Sequence, residues 1–464
     1  MSEAQTLGEL RASGWESVPI KEEVRRNAVA RLREGKPLVD GVLGYEETVL
    51  PQLANALIAG HDIVLLGERG QAKTRIIRSL IELLDEWMPI VAGSEINDDP
   101  YAPVSRHAVN LVEEHGDDTP IEWVHRSMRY GEKLATPDTS VADLIGEVDP
   151  IKVAEGRYLS DELTIHYGLI PRTNRGIFAI NELPDLAERI QVGLLNVLEE
   201  RDVQVRGYKI RLPLDVMLVA TANPDDYTNR GRIITPLKDR FGAQVRTHYP
   251  LDVATEITVV KQESEVPNVG VKVEMPEFMH DIVATLTHLA RASSQINQRS
   301  GVSVRLTVAN AETIVANALR RAILLGEPVA VPRISDLDAL ASSTSGKIEI
   351  ESMDDGRDEQ VVEKLVRSAV LTVFKERCPI DQFRDVPTSF EGGQIVHAGD
   401  DVAAASYAEV LQNIPSLAAP ARDLAGSEDP GAIASAIEFI LEGLHLSKRL
   451  NKDAAGNRIA YRGR

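Results

Sequence analysis

Residues 62 to 74 read Asp62-Ile63-Val64-Leu65-Leu66-Gly67-Glu68-Arg69-Gly70-Gln71-Ala72-Lys73-Thr74, an aliphatic run that stops in a glycine-bearing loop ending in a lysine and a threonine. Ile63 to Leu66 has the length and branching of a strand buried on both faces. Thr74 opens a predicted helix with Ile76, Ile77, Leu80, Leu83, Leu84 and Trp87 along one side. Strand, loop, helix is the context in which the pattern G-x-x-x-x-G-K-[ST] has meaning. The loop meets that pattern at Gly67, Lys73 and Thr74, with Ala72 where the second glycine usually stands.

The chemistry of such a loop assigns each residue a task. Gly67 and Gly70 let the backbone turn tightly, so that the N–H groups from Gly67 through Glu68, Arg69, Gly70, Gln71 and Ala72, with the helix N-terminus, face an anion. Lys73 can reach the outer phosphates of a nucleotide, and the Thr74 hydroxyl can ligate Mg²⁺. Ala72 adds one methyl group, which is tolerable if the backbone there is helical rather than left-handed. An accidental lysine at the end of a loop is the plain alternative for this stretch taken alone.

Composition narrows the classes. The chain has 464 residues, enough for about two to four domains and a substantial core. Its 71 acidic residues outweigh 51 basic ones, for a net charge of -20, so nonspecific attraction to nucleic acid or to an anionic membrane is disfavoured. One cysteine, Cys378, excludes an internal disulfide framework and fits a reducing compartment, with no nucleophile motif around it. Neither a signal-peptide pattern at Met1 to Thr6 nor an uncharged apolar run of about 18 residues is present, and a soluble cytoplasmic protein is expected. His107, His115, His125 and His166 belong to no zinc-ligand spacing and read as ordinary polar residues.

Along the chain, a charged helix is predicted from Lys21 to Glu34 and another from Glu46 to Ala59, stopped by Gly60. Pro89 to Pro103 reads as loop, Ile121 to Val124 as a short strand, and Gly131 to Pro137 as a second core strand. Residues 147 to 170 read as an irregular insertion. The next strand, Gly176-Ile-Phe-Ala-Ile-Asn-Glu182, ends in polar groups where P-loop enzymes place their magnesium and water-handling carboxylates. Glu182 can orient or deprotonate an attacking water. Asn181, in the place of an expected aspartate, can hold a magnesium-bound water through its amide oxygen but brings no charge. A helix from Pro184 to Glu200 should bury Leu186, Ile190, Leu194, Val197 and Leu198, and Val203 to Leu214 alternates around Gly207 like a projecting hairpin. A further strand, Val216 to Thr221, runs into Ala222-Asn223-Pro224, which puts the Asn223 amide within reach of an attacking water or a γ-phosphate.

The ordered set Gly67 to Thr74, Ile177 to Glu182, Ala220 to Pro224 and Leu237-Lys-Asp-Arg-Phe-Gly242 resembles an AAA+ ATPase, and within that class the MoxR and magnesium-chelatase I-subunit group. The resemblance implies an α/β fold, a P-loop AAA+ core with a parallel sheet followed by a helical lid and a helical C-terminal extension. The corresponding divisions are residues 1–45 as lead-in, 46–250 as core, 251–341 as lid and 342–464 as extension. It also implies ATP and Mg²⁺ as cofactors. Lys73 and Thr74 become the Walker A phosphate and magnesium residues, Glu182 the Walker B catalytic glutamate, and Asn223 sensor 1. Arg240 becomes an arginine finger reaching a neighbouring subunit, with Arg232 as a weaker candidate, and Arg305 the sensor 2 arginine at the start of a lid helix. Residues 140–170 and 203–214 become the insertions that mark the group. An arginine finger contributes on the order of 10³ to 10⁵ in rate, and supplying it from a neighbour makes hydrolysis depend on a ring, expected to be a hexamer.

Beyond the core, helices are predicted at Val253 to Glu265, Phe278 to Ile296, Leu306 to Leu324 and Ser335 to Ala341, and later in a helix ending near Arg377, at Tyr407 to Leu417 and at Ala432 to Leu450. The basic tail from Lys448 reads as a frayed, solvated end rather than a nucleic-acid arm. The leading expectation is a motor that remodels or loads a partner protein, with a von Willebrand A domain protein as the partner related systems suggest. A chelatase I subunit proper and, because of Asn181, a noncatalytic scaffold that assembles on ATP are the alternatives. An enhancer-binding transcription activator is disfavoured, since no G-A-F-T-G-A loop or C-terminal helix-turn-helix is found.

Overall fold

The computed structural model describes residues 4–148, 164–199, 202–204, 211–223, 231–298, 300–350, 358–390, 392–455 and 458–464. They group into two compact units, Met1–His248 and Tyr249–Arg464.

The first unit is built on a five-stranded sheet. Its strands are β1 (Ile63–Leu66), β2 (Tyr130–Leu134), β3 (Gly176–Asn181), β4 (Val216–Ala222) and β5 (Ala243–Arg246), in the order β5-β1-β4-β3-β2 with every pairing parallel. All residues of β1, β3 and β4 are buried, as expected of central strands covered on both faces. The alternate side chains feed two cores. Ile63, Leu65, Ile177, Ala179, Met217 and Val219 face one; Val64, Leu66, Phe178, Ile180, Leu218 and Ala220 face the other. β5 was not anticipated, because Ala243-Gln-Val-Arg246 carries one strongly apolar residue, Val245; its place is set by pairing with β1.

Helices α1 (Ile20–Arg33) and α2 (Val49–Ala59) precede the sheet, and α2 ends at Gly60 in the left-handed conformation. Lys21 pairs with buried Asp62 at 2.8 Å, and the Ile20 N–H donates to Asp215 at 2.6 Å. A buried ion pair, Glu23 with Arg129 at 2.6 Å, fixes α1 further. After the loop comes α3 (Lys73–Ser79), which tightens into a 3-10 turn at Leu80–Leu83. Trp87 is therefore not on that helix. It starts a strand, Trp87–Val91, is 46% exposed, and pairs antiparallel with Ile121–His125 in a separate two-stranded sheet. Pro89 lies inside this strand, so the segment read as loop from Pro89 is extended and paired at its start; a helix at Arg106–His115 was likewise unforeseen.

Helix α4 (Glu188–Glu199) follows β3 and a 3-10 turn at Leu183–Asp185, so it starts after the predicted Pro184; it buries Ile190, Leu194, Val197 and Leu198 with the sheet, joined by Leu186 from the turn before it. The predicted hairpin is present as Asp202–Gln204 paired with Arg211–Pro213; residues 205–210 between them lie outside the described set. Of the expected insertion, 149–163 also lies outside it, while Gly146–Val148 and Ile165–Tyr167 pair on either side. Helix α5 (Thr235–Arg240) leads into β5.

The second unit holds helices α6 (Val253–Glu263), α7 (Glu277–Ala292), α8 (Val304–Leu325), α9 (Asp358–Arg377) and α10 (Pro430–Leu446). One apolar core runs from Val260 to Tyr461. At its centre Phe278 stacks on Phe439 at 4.6 Å, and Phe374 meets Phe439 edge-on at 5.8 Å. The basic tail is not frayed. Asn451–Ala455 and Arg458–Arg462 form an antiparallel pair joined by Ile395–Ala398, and Tyr461 is fully buried with its hydroxyl 2.5 Å from Glu442. Among the described residues no helix is long and apolar enough to cross a membrane.

Candidate nucleotide site

Parallel strands whose helices lie on both faces leave their carboxyl ends free to bind ligands. Three of the sequence elements meet there. β1 and β4 are neighbours with Leu66 opposite Ala222, and the Gly67 N–H continues the ladder to the Ala222 carbonyl at 3.1 Å. β3 is next to β4, so Asn181 and Glu182 leave their strand beside Thr221 and Asn223.

The loop is held from beneath. Gln71 accepts from the Glu68 N–H at 3.0 Å and from the Thr247 hydroxyl at 2.7 Å, which closes the turn on the end of β5. A methyl on Gly67 would collide with both the Thr247 hydroxyl and the Gln71 amide oxygen, so this glycine is required for space. Gly70 has φ +75 and needs glycine for its conformation. Tyr45 reaches in from the lead-in and its hydroxyl lies 3.0 Å from the Gln71 carbonyl and 2.6 Å from that of His248. Burial pushes the Tyr45 phenol up to about 12, which keeps it a donor. Arg69 is exposed and Glu68 half-buried at the loop's outer side.

Ala72 corrects an expectation. Its φ is 54 and ψ 13, so the backbone is left-handed there, not helical, and the methyl group sits where glycine would be relaxed. Lys73 is 7% exposed; its ammonium donates to the carbonyl oxygens of Gly67 and, at 2.8 Å, Glu68. Those are contacts an incoming phosphate can replace. Thr74, half-buried, follows in the first turn of α3.

At the end of β3, the Asn181 amide nitrogen donates to Glu132 at 2.6 Å and its oxygen lies 3.4 Å from the Thr221 hydroxyl. Thr221 also accepts from the Glu182 N–H at 2.9 Å. Glu182 itself has φ 55, a left-handed conformation that a non-glycine residue holds only when its surroundings impose it. Glu132 and Thr221 were missed by sequence reading: neither belongs to a motif, and only the strand register brings them beside Asn181. Burial works against the Glu132 charge, but Arg78 outweighs it, with Tyr130 and Asn181 helping, and holds the carboxyl below the usual range.

Asn223 is 5% exposed, and its side-chain oxygen has no hydrogen-bond partner among the described residues. A buried amide with an unpartnered oxygen at a strand end, a lysine lying across a glycine cradle, and a hydroxyl at the helix start are a set of groups that fits a nucleoside triphosphate with magnesium. Among the described residues no three His, Cys, Asp or Glu side chains gather as metal ligands, and magnesium at such a site draws instead on a hydroxyl, water and phosphate oxygens.

Within the first unit, Arg240 stands apart from this cluster. Arg240 ends α5 three residues before Ala243, which opens β5 beside Ile63 at the start of β1. The P-loop leaves from the other end of β1, about 10 Å of strand away. Arg240 is exposed and pairs with Asp239 at 3.0 Å. Arg232 is exposed as well. Arg305 belongs to the second unit, exposed in the first turn of α8, where its N–H donates to the Ser303 hydroxyl at 3.1 Å.

Comparison with known proteins gives the following likenesses. A profile described as the Sigma-54 interaction domain matches residues 155–237, the part of the chain that contains β3 and β4. The magnesium-chelatase subunit ChlI of Nostoc sp. is 30% identical over 231 residues, covering 48% of this chain and 58% of the relative. That of Anabaena variabilis is 30% identical over 207 residues, covering 44% and 57%. The chain thus matches little more than half the length of these relatives. A cryo-EM-based structure of the complex between subunits BchI and BchD of magnesium chelatase is 20% identical, with a TM-score of 0.37, covering 70% of this chain and 98% of that one. With its motifs in order and three of them gathered at the carboxyl edge of a parallel 5-1-4-3-2 sheet, the chain is similar to the AAA+ ATPases of the MoxR and magnesium-chelatase I-subunit group.

Proposed function

We propose that the protein is a ring-forming motor that binds and hydrolyses Mg-ATP to remodel or activate a partner protein. The observation that carries this reading is that the loop leading to Lys73, Glu182 and Asn223, whose amide oxygen is unpartnered, leave the ends of three adjacent strands. Lys73 and the loop N–H groups bind the outer phosphates, and Thr74 holds magnesium, with Asn181 contacting it through water. Glu182 orients and deprotonates the attacking water; Asn223 holds that water or the γ-phosphate in line. Arg240 lies at the wrong end of β1 to serve its own site, which favours action on a neighbour's γ-phosphate. Arg305 acts as the sensor of a helical lid, residues 251–341, with 342–464 as an extension. A head-to-tail ring follows from that use of Arg240; six subunits are what the family resemblance implies, and a cytoplasmic location is part of the same proposal.

The test is turnover by the assembled protein under saturating Mg-ATP. Lys73→Ala and Glu182→Gln should each lower it by about 100-fold or more, the lysine change by losing nucleotide and the glutamate change while retaining it. Absence of turnover in the wild-type ring would leave the noncatalytic scaffold as the better reading, which Asn181 favours. Kinship with ChlI favours a chelatase I subunit as another, and complementation of a chelatase lacking that subunit discriminates it. The Sigma-54 profile favours an activator of transcription, but the chain lacks a G-A-F-T-G-A loop. For the partner, a pull-down with the Glu182→Gln ring should return a von Willebrand A domain protein; its absence would remove that partner and leave the ATPase reading intact.

A further inference from the structure

Asn181 stands where an aspartate would face magnesium, and a carboxylate stands one strand away. Glu132 on β2 extends across to β3 and accepts from the Asn181 amide nitrogen at 2.6 Å. The same carboxylate is gripped by Arg78 through two contacts, 2.8 Å and 3.0 Å, and by the Tyr130 hydroxyl at 3.1 Å. Arg78 lies one turn beyond Thr74 on α3, on the same side of that helix. Amide, carboxylate and guanidinium therefore form a continuous chain from the end of β3 to the helix that carries the magnesium-binding hydroxyl.

Two consequences follow from elementary electrostatics. An aspartate at 181 would bring a second carboxylate against Glu132, and two acids at hydrogen-bond distance cannot both stay ionised. A carboxylate accepts but does not donate, so Glu132 also fixes the Asn181 amide nitrogen on its own side and leaves the oxygen facing the Thr221 hydroxyl.

We propose that Glu132 is a positioning residue that supplies, from the neighbouring strand, the negative charge Asn181 does not bring to the magnesium site, with Arg78 as its counter-charge. This rests on the Mg-ATP reading given above. The Asn181 departure is then a transposition of charge and not a loss.

The experiment is a magnesium titration of the full chain with a fluorescent ATP analogue at fixed concentration, read as the Mg²⁺ concentration at which nucleotide binding is half tightened, alongside nucleotide affinity without metal. Glu132→Gln should raise that midpoint by about three- to tenfold, and Arg78→Gln, which frees the carboxylate from its counter-charge, should lower it by about two- to fivefold. The double change Glu132→Gln with Asn181→Asp should return it to within about twofold of wild type, and metal-free affinity should stay within about twofold throughout. A merely structural ion pair would move both single variants in the same direction or neither, and either result overturns the proposal. Arg78 is exposed on α3, so its variant decides the matter if Glu132→Gln fails to fold. Wild-type protein that binds no nucleotide overturns the Mg-ATP reading and this inference together, whereas normal wild-type binding with indifferent variants overturns the inference alone.

Discussion

Ala72 holds a left-handed backbone at the last position before Lys73, where a side chain costs roughly 1–2 kcal/mol that glycine would not. Glycine in turn gives up about 0.5–1 kcal/mol of unfolded-state entropy and the methyl's packing against the neighbouring core. The two terms leave a margin of about 0.5–1 kcal/mol in favour of glycine, so Ala72→Gly should raise the melting temperature of the unit that contains it by about 1–4 °C. A lower melting temperature would show that the methyl contact outweighs the strain. That the loop of Lys73 and Thr74 and the strand end at Glu182 would lie on the same sheet edge could be read from the sequence, because the strand–loop–helix and strand-end patterns fix where each leaves the sheet. The conformation at Ala72 and Glu182 could not, since left-handed backbone at a non-glycine residue is imposed by tertiary surroundings and leaves no mark in composition. Glu132 and Thr221 were illegible for a related reason: their part in the site depends on which strands are neighbours.

At the scale of elements, β1, β3 and β4 could be read because burial on both faces makes a strand uniformly aliphatic. Trp87–Val91 and the two tail strands could not: Trp87–Val91 pairs with Ile121–His125, the tail hairpin is anchored by the distant Ile395–Ala398, and Pro89 or a run of charges hides the pattern. Helices α6, α7 and α8 were legible by period, but the group that ties them was not. Glu256, fully buried on α6, accepts two bonds from Arg291 of α7, at 2.6 and 3.0 Å, and one from Thr307 of α8 at 2.6 Å. Burial alone would raise its pKa, but the neighbouring His288, Arg291 and Thr307 outweigh that and lower it. A carboxyl with a lowered folded-state pKa stabilises the fold fully above its unfolded value of about 4.3 and loses that contribution as pH falls through the folded value. The second unit should therefore lose stability on acidification below about pH 4. Glu256→Gln should cost about 2–4 kcal/mol at neutral pH, because the part-buried Arg291 loses its charged partner, and should flatten the acid limb measured by denaturant melts at several pH values. An acid limb as steep as in the wild type would assign that loss to other carboxylates.

For the whole molecule, the decisive question is whether a site is completed by a neighbour, and the placement of Arg240 turns it into a measurement. Arg240 and Lys73 sit at opposite ends of the same short strand register, so a subunit that supplies one need not supply the other to the same nucleotide. Arg240→Ala subunits should bind ATP normally yet turn it over hardly at all, and Lys73→Ala subunits should neither bind nor turn over. Mixed in equal amounts, the two should regain activity, because an intact Lys73 site can then face an intact Arg240. With random assembly into a closed head-to-tail ring, one interface in four has that combination, so turnover should recover to about a quarter of wild type if sites act independently. Cooperative rings would recover less, with a dependence on the mixing ratio that differs from a simple product. No recovery at any ratio, with mixed rings demonstrated by mass, would place Arg240 outside the neighbour's site and withdraw the argument for a ring built on it.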